Sequence, residues 1–340
     1  MLNNISALTY TLFFLIIVSC SFKEDTNVLQ KGGQLQITDA AGKLIEGLQK
    51  VERLVCLFEP AVDLVYMLHA EELLVGVTGD IYTDKEVAPF YSALDERIKK
   101  KSLATPSIKN GLNAESILSL SPDLIVISSN ETNMIQTFRS LGLNVYAVAG
   151  NTHADIVKEV KDLSILLGKT ERGQELLNFF EKGLDELALT NSLSPAKARV
   201  YFSWAYGRIF STTGTSGMMN TCLEFAGVEN VCQSPIDQPN INPETLLIWN
   251  PDMIIIWNDE PNLFFQRPEL KPITALQKNQ IFRLSPMFIF NPHNIKALCT
   301  AKKINIWAYG DKKSSNNSEI EAILRVYYGE KRFNKIKSLI

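Results

Sequence analysis

Short apolar runs alternate with segments of helical periodicity along most of the chain. Leu54 to Phe58 and Leu73 to Thr78 are aliphatic runs typical of strands buried on both faces, and Pro60 to Leu68 between them has a helical pattern. Gln36 to Ala40 and Lys43 to Leu48 predict a small hairpin. This alternation of strands and helices predicts an α/β fold with parallel-type sheets.

One unit of the chain occurs twice. The segment Asn113 to Glu131 aligns without gaps on Asn242 to Glu260, an offset of 129 residues at both ends. Each copy begins with an Asn suited to cap a helix, continues through a short helical stretch, and reaches a Pro-Asp pair followed by four aliphatic residues. The repeat predicts two pseudo-equivalent, Rossmann-like lobes.

A long amphipathic segment separates the two copies. From Thr170 to Leu189, apolar residues recur at helical spacing, and Asn191 to Pro195 ends the pattern. A helix of that length extends about 30 Å, enough to join two lobes stiffly, so we expect little hinge motion. The predicted organisation is a signal segment at 1–19, a tether at 20–35, an N-terminal lobe at 36–168, a connecting helix at 169–190 and a C-terminal lobe at 196–340.

The first residues have the pattern of a cleaved and lipidated leader. The apolar run from Leu12 to Val18 is too short to span a bilayer and has the length of a signal-peptide core. Ser19 and Cys20 complete a lipoprotein cleavage pattern, which makes the Cys20 thiol the acylation site and predicts a palmitate-type anchor. Residues 1–11 lack Lys and Arg, so a short uncleaved anchor is the alternative. Both interpretations place the rest of the chain outside the cytoplasm.

Charge and cysteine usage exclude several partners. The net charge of −3 over 340 residues is spread without a basic block, which argues against nucleic acid. The remaining cysteines show no CxxC or Cys/His spacing, so we expect no zinc and, in general, no metal ligands or resident cofactor. They are expected to be buried thiols, with a Cys222–Cys232 disulfide as the alternative. These cysteines are Cys56, Cys222, Cys232 and Cys299.

Several further motifs occur along the chain in a defined order and spacing. They lie at 37–42, 51–60, 72–77, 141–145, 225–231 and 275–284, together with both copies of the repeat. In this order and spacing they resemble the helical-backbone solute-binding family, which serves ABC importers of iron–siderophore complexes, haem, cobalamin and some oxyanions. The resemblance implies an extracytoplasmic, monomeric binding protein, not an enzyme, that delivers a small ligand to a permease dimer.

The resemblance also implies two docking residues. Members of the family place one acidic residue on each lobe against arginines of the permease dimer. Glu131 and Glu260 fit this role because each lies just beyond the strand of its repeat unit, with Asp259 as a substitute in the second lobe. Solvated loop carboxylates are the alternative interpretation.

We expect the ligand at the carboxyl ends of the strands, between the lobes. Trp and Tyr offer flat walls with polar tips, Arg can clamp carboxylates or oxyanions, and the glycine-rich turn around Ser216 offers backbone donors. Core packing is the alternative for Trp204, and a plain helix cap for that turn. His69 and His153 are expected to be structural, whereas His293 is the histidine that could contact a metal centre. The candidate residues are Glu59, Tyr82, Trp204, Tyr206, Arg208, Ser216, Phe290 and His293.

The sequence carries no hydrolase or nucleotide-binding motif of the GxSxG, P-loop or HExxH type. A carboxylate-based, lipid-anchored hydrolase is another class, but it would leave the repeat unexplained. A structural surface lipoprotein is a third class, and it would not need a concave site between the lobes. The aromatic candidates favour an iron chelate, siderophore or haem-like. Cobalamin and a molybdate- or tungstate-like oxyanion are the alternatives.

Overall fold

The computed structural model describes residues 37–340 except 47, 49, 109–110, 193–195, 205 and 311–316. The predicted signal segment, the lipidation residue Cys20 and the tether at 20–35 lie outside the described residues. In chain order the strands are β1 (Ile37–Thr38), β2 (Leu44–Ile45), β3 (Leu54–Cys56), β4 (Leu74–Val77), β5 (Ser107–Ile108), β6 (Gly111–Leu112), β7 (Leu124–Ser128), β8 (Val145–Val148), β9 (Arg199–Ser203), β10 (Glu229–Asn230), β11 (Met253–Trp257) and β12 (Ile281–Leu284).

Helices occupy most of the segments between these strands, and short 3₁₀ turns lie at Glu71–Leu73, Pro268–Leu270 and Lys337–Leu339. In chain order the helices are α1 (Glu59–Met67), α2 (Asp80–Thr83), α3 (Val87–Leu94), α4 (Glu96–Lys99), α5 (Ala114–Ser119), α6 (Thr132–Ser140), α7 (His153–Leu166), α8 (Thr170–Ser192), α9 (Met218–Phe225), α10 (Pro243–Trp249), α11 (Asn262–Phe265), α12 (Thr274–Gln277), α13 (Ala297–Tyr309), α14 (Ser318–Tyr328) and α15 (Glu330–Ile336).

Two four-stranded parallel sheets carry the fold, with strand orders β4-β3-β7-β8 and β10-β9-β11-β12. In both sheets the second strand along the chain lies at one edge and is followed by the first, the third and the fourth. The repeated strands β7 and β11 therefore hold the same interior position in each sheet. The predicted α/β fold with two pseudo-equivalent lobes is therefore confirmed. The predicted hairpin is also present, because β1 and β2 pair antiparallel.

The repeat preserves the caps and turns around these strands. The Asn113 side chain accepts hydrogen bonds from the backbone N–H groups at the start of α5, and Asn242 does the same for α10. Ser121 and Asn250, each preceding the proline of its copy, adopt left-handed φ angles of 45° and 41°. The following proline disfavours the right-handed helical conformation in that residue, so the two helices end within one position of each other in the repeat.

The aspartate of each Pro-Asp pair ties its strand to the neighbouring one. Asp123 Oδ2 accepts from the backbone N–H of Glu52 and of Arg53, both at 2.8 Å, just before β3. Asp252 Oδ2 accepts from the backbone N–H of Arg199 at 3.0 Å, at the start of β9. The Pro-Asp pair thus aligns two parallel strands that are distant in sequence.

The long helix α8 connects the two sheets, as predicted. Its 23 residues extend about 34 Å. The apolar residues that recur along it, including Phe180 and Leu187, are buried against the rest of the molecule. Packing of this stripe, rather than helix propensity alone, stabilises the connection.

The hydrophobic core is continuous between the lobes. One cluster of buried residues includes strands of both sheets and the C-terminal helices. Helix α14 packs against α1, and α15 packs against α3, so the end of the chain contacts the first lobe. The segment 285–296, which we call the interlobe strap, begins at a cis Ser285–Pro286 bond and contacts the first lobe as well.

The four cysteines in the described part of the chain are buried and free, as the thiol interpretation predicted. None of the helices within that part is long and apolar enough to cross a membrane.

Candidate functional site

Loops from the carboxyl ends of both sheets meet between the lobes. Glu59, which follows β3, contacts Asn291 of the interlobe strap. Gly150, which follows β8, contacts His293 of the same strap. The backbone N–H of Met287 donates to Glu86 at 2.8 Å. These contacts bring together the strand ends where a ligand of a two-lobed α/β protein binds.

Glu59 is held by one partner from each lobe. Its Oε1 accepts from the Tyr91 hydroxyl at 2.8 Å, and its Oε2 accepts from Asn291 Nδ2 at 3.1 Å. Burial and the nearby Asp63 carboxylate raise the pKa of Glu59 to about 7, although the Lys296 ammonium opposes the shift. Glu59 thus lies just beyond the carboxyl end of β3, in contact with the interlobe strap, and its pKa is close to neutral pH.

His293 contacts the loop after β8. Its Nδ1 lies 3.0 Å from the carbonyl oxygen of Gly150. Since a carbonyl only accepts, the proton belongs on Nδ1, and Nε2 carries the lone pair. Burial lowers the pKa of His293, with Asp237 opposing the shift. The side chain is thus a neutral imidazole at neutral pH.

Glu159 of α7 hydrogen-bonds to the loop after β8 and was not among the predicted residues. Its Oε1 accepts from the backbone N–H of Ala149 at 2.5 Å and of Gly150 at 3.0 Å. Burial raises the pKa of Glu159 to about 7. A cavity of about 10 Å³ lies between Glu159, Phe58 and His293, which is room for about one water molecule.

Two indole rings pack together at the strand ends of the second lobe. Trp204 is 7% exposed, and its Nε1–H donates to the Thr212 carbonyl at 2.8 Å. The rings of Trp204 and Trp257 lie 4.8 Å apart. The buried Nε1–H of Trp257 has no hydrogen-bond partner within the described structure. Trp204 thus packs in the core, and Trp257, the last residue of β11, joins it although sequence reasoning did not select it.

Tyr206 and Arg208 lie on an exposed turn beside this pair. The Tyr206 side chain is 76% exposed and its φ is 66°, a conformation that a residue with a Cβ rarely adopts. Gly207 is left-handed as well, with φ 71°, and its backbone N–H donates to Asp259 Oδ2 at 2.6 Å. Tyr206 and Arg208 are thus both exposed just beyond the carboxyl end of β9.

The glycine-rich segment around Ser216 packs against residues 234–237. The Ser216 hydroxyl donates to the Pro235 carbonyl at 2.8 Å. A Cβ on Gly214 would lie 1.9 Å from the Ile236 carbonyl oxygen, and one on Gly217 would lie 2.1 Å from Asp237 Oδ1. The glycines therefore allow close backbone packing, and a carboxylate of the protein itself lies at the start of α9.

Two further candidates are engaged inside the protein. Phe290 of the interlobe strap is only 3% exposed and packs in the core, and its carbonyl accepts from the Thr300 hydroxyl at 2.6 Å. Tyr82 lies within the first lobe, where its ring is half-buried and its hydroxyl donates to the Leu103 carbonyl at 3.0 Å. Neither contact could be read from the sequence, because each joins separate segments.

The two acidic residues after the repeat strands differ in their surroundings. Glu131 is exposed, and its carboxylate has no hydrogen bond or ion pair within the described residues. Glu260 pairs with Arg283 Nη1 at 2.8 Å. Both follow the repeated strand of their lobe at equivalent positions, Glu131 immediately before α6 and Glu260 two residues before α11. No group of three or more His, Cys, Asp or Glu residues in the described ranges is arranged to hold a metal ion.

Comparison with known proteins identifies the family. The model of the "Periplasmic binding protein" family matches residues 54–287, which is more than half of the chain. The chain belongs to this family. Its members are substrate-binding proteins of transport systems rather than enzymes, and they act outside the cytoplasm. The sequence resemblance to helical-backbone solute-binding proteins is thereby confirmed. No curated protein sequence matches the chain.

Solved structures of this family share the fold at low sequence identity. The molybdate periplasmic binding protein MolA of Haemophilus influenzae, bound to molybdate, is 19% identical with a TM-score of 0.70, covering 88% of this chain and 98% of its own. CeuE of Helicobacter pylori in its Ni-His complex is 18% identical with a TM-score of 0.70, covering 90% and 99%. The vitamin B12 binding protein BtuF of Vibrio cholerae is 20% identical with a TM-score of 0.61, covering 76% and 96%.

Proposed function

We propose that this periplasmic binding protein captures an iron chelate, siderophore or haem-like, between its lobes. The observation that supports this most directly is the exposed Tyr206 and Arg208 pair beside the Trp204–Trp257 aromatic cluster at the strand ends of the second lobe. An aromatic face and a guanidinium together suit a flat or apolar chelate that carries acidic groups. We include Glu59 and His293, which contact the loops and the interlobe strap between the lobes, as further ligand-binding candidates.

The surroundings of the glycine-rich turn favour a chelate over a small oxyanion. An oxyanion would use the free N–H groups at the start of α9. The Asp237 carboxylate lies against Gly217 at that point and would repel a second anion. The alternatives in our ligand panel are molybdate, which MolA binds, and cobalamin, the vitamin B12 for which BtuF is a binding protein.

We further propose that Glu131 and Glu260 dock the two lobes onto the dimeric permease. Their equivalent positions, 129 residues apart and each just beyond the repeated strand of its lobe, suit a two-fold partner.

We also propose that Cys20 is acylated and anchors the mature protein to the membrane surface. Replacement of Cys20 by Ala is expected to release the protein into the soluble fraction and to abolish palmitate incorporation. If the variant stays in the membrane fraction and still incorporates palmitate, the proposed anchor is wrong.

Tryptophan fluorescence tests the ligand proposal. The domain from residue 20 onward, with Cys20 replaced, is titrated with a ferric hydroxamate, haemin, cobalamin and molybdate. We expect saturable quenching by an iron chelate, with the affinity about tenfold weaker in Tyr206→Ala and in Arg208→Ala, as is usual for a central aromatic or Arg contact.

Ile248→Ala is the matched control. Ile248 is 82% exposed in the same lobe, but it lies on α10 at the opposite edge of the sheet. This variant should bind like the wild type. Quenching by molybdate or cobalamin alone would replace the iron chelate with that ligand. Quenching by none of the four would contradict the proposed ligand class.

A further inference from the structure

The loop after β11, residues 258–260, is tied to two other parts of the second lobe, and we call it the docking loop. Asn258 Oδ1 accepts from the Ser285 hydroxyl at 2.7 Å, at the start of the interlobe strap. Asp259 accepts from the backbone N–H of Gly207, and Glu260 pairs with Arg283 of β12. Three consecutive side chains thus contact two segments, the turn at Gly207 and the stretch that joins β12 to the interlobe strap.

The equivalent loop of the first lobe, residues 129–131, lacks these side-chain contacts. The backbone N–H of Ser129 donates to the Val148 carbonyl, as that of Asn258 does to Leu284 in the second lobe. The backbone N–H of Asn130 donates to its neighbour Ser128, and the Glu131 carboxylate has no partner among the described residues. The lobes therefore share the backbone arrangement of this loop and differ in how its side chains are held.

The contact between Gly207 and Asp259 is the one that reaches the proposed ligand site. Tyr206 and Gly207 are consecutive left-handed residues, which for a residue with a Cβ costs about 1–2 kcal/mol. Such a conformation persists only where other contacts hold it. A short hydrogen bond from an N–H to a carboxylate is a strong contact of this kind. Asp259 therefore positions the aromatic turn, residues 206–211, from the docking loop.

We propose that Asp259 couples the aromatic turn to the docking loop. A ligand that contacts Tyr206 then changes the position of the Glu260 side chain but not that of Glu131. The second lobe would then report ligand occupancy to the permease, while the first lobe docks in the same way with or without ligand. This inference rests on the proposed function, because it requires Tyr206 to touch the ligand and Glu260 to face the permease. Asp259 is a positioning residue. Because coupling is reciprocal, docking of Glu260 on the permease would change the affinity for the ligand by the same factor as the ligand changes docking.

Hydrogen exchange of the soluble domain tests this coupling without any ligand. Asp259→Ala is expected to accelerate amide exchange in the aromatic turn at least tenfold, because the Gly207 N–H loses its acceptor. Asp259→Asn keeps an acceptor oxygen and should change exchange less than threefold. Asn130→Ala, at the equivalent position of the first lobe, is the matched control and should match the wild type. Unchanged exchange in Asp259→Ala would overturn the proposal.

A second arm adds the probe that binds the wild type from the panel of ferric hydroxamate, haemin, cobalamin and molybdate. At saturation we expect slower exchange in both the aromatic turn and the docking loop of the wild type, and no change in residues 129–131. In Asp259→Ala the probe should still protect the turn but no longer the docking loop, with affinity about tenfold weaker. Protection of the docking loop that persists in this variant would contradict the coupling.

The two proposals fail in different ways. If no probe binds the wild type, the proposed ligand class fails, and the exchange comparison in the absence of ligand still decides whether Asp259 positions the turn. If a probe binds the wild type and Asp259→Ala with equal affinity and equal protection, the ligand assignment stands and the coupling fails.

Discussion

The carboxylate of Asp63 and the ammonium of Lys296 form an ion pair of 2.5 Å in which neither side chain is exposed. Asp63 belongs to α1 of the first lobe, and Lys296 ends the interlobe strap. Asn294 Nδ2 also donates to Asp63 at 3.1 Å, and the Tyr328 hydroxyl from α14 donates to its other oxygen. One buried carboxylate thus joins three elements and holds the two lobes together.

Lys296→Met should therefore destabilise the protein strongly. Removing one partner leaves Asp63 as an uncompensated buried charge, which costs about 3–5 kcal/mol. Asp63→Asn combined with Lys296→Met should recover part of this loss, because a neutral Asn still accepts from Tyr328. Urea unfolding measures both variants. Lys182→Met, which removes an exposed ion pair of 3.9 Å with Glu186, should cost less than about 0.5 kcal/mol. A cost for Lys296→Met similar to this control would contradict the prediction.

The two neighbouring tryptophans should respond differently to replacement by Phe. Both substitutions lose part of a buried ring, but Trp204→Phe also leaves the Thr212 carbonyl without its donor, whereas Trp257→Phe removes an N–H that has no partner in the described structure. Trp257→Phe should therefore be less destabilising, by about 1–2 kcal/mol in urea unfolding. A larger loss of stability in Trp257→Phe would show that its N–H is satisfied.

The pH dependence of stability should reveal Glu59 and Glu159. In the folded protein the pKa of each is about 7, mainly because of burial, against 4.5 as the ordinary value. Between those values the folded state binds more protons than the unfolded chain, so stability falls as pH rises from about 4.5 to about 7. Glu59→Gln combined with Glu159→Gln should remove this contribution and flatten the melting temperature over that window.

The difference between the wild-type and double-variant profiles isolates the two groups from all other carboxylates. Glu186→Gln, an exposed residue on α8, is the control and should keep the wild-type profile. If the double variant follows the wild type across the window, the two carboxyl groups do not hold protons near neutral pH in the folded state.

The paired aspartates of the repeat should stabilise the fold to different degrees. Asp123 accepts two backbone N–H groups and Asp252 accepts one. Asp123→Ala should therefore cost about 2 kcal/mol and Asp252→Ala about 1 kcal/mol in urea unfolding. Asp185→Ala, at an exposed position of α8, should be close to neutral. A larger effect at Asp252 would contradict this ranking.

Local patterns predicted the parts of the fold that depend on neighbouring residues. The Asn caps, the Pro-Asp turns and the apolar stripe of α8 each lie within one segment, where helix and strand periodicity is directly visible. The repeat further predicted two lobes with the same fold, because two copies of one pattern fold in the same way. The position of Glu59 followed from the rule that sites lie beyond strand ends.

The surroundings of the candidate residues could not be predicted in this way. Phe290 and His293 are close in sequence, yet one lies in the core and the other contacts Gly150. Asp237 at the start of α9 and Asp259 beside Gly207 are placed by contacts between distant segments. Nothing in the local pattern of a carboxylate reveals which N–H group it will meet.

The sequence by itself determined the two lobes and the long helix between them, because periodicity and capping act over a few residues. Only the tertiary structure decided which side chains at that edge stay exposed, as Tyr206 does, and which become buried partners, as Lys296 does. Burial and hydrogen bonding depend on the packing of whole elements, and that packing brings together residues more than 200 positions apart, such as Asp63 and Lys296.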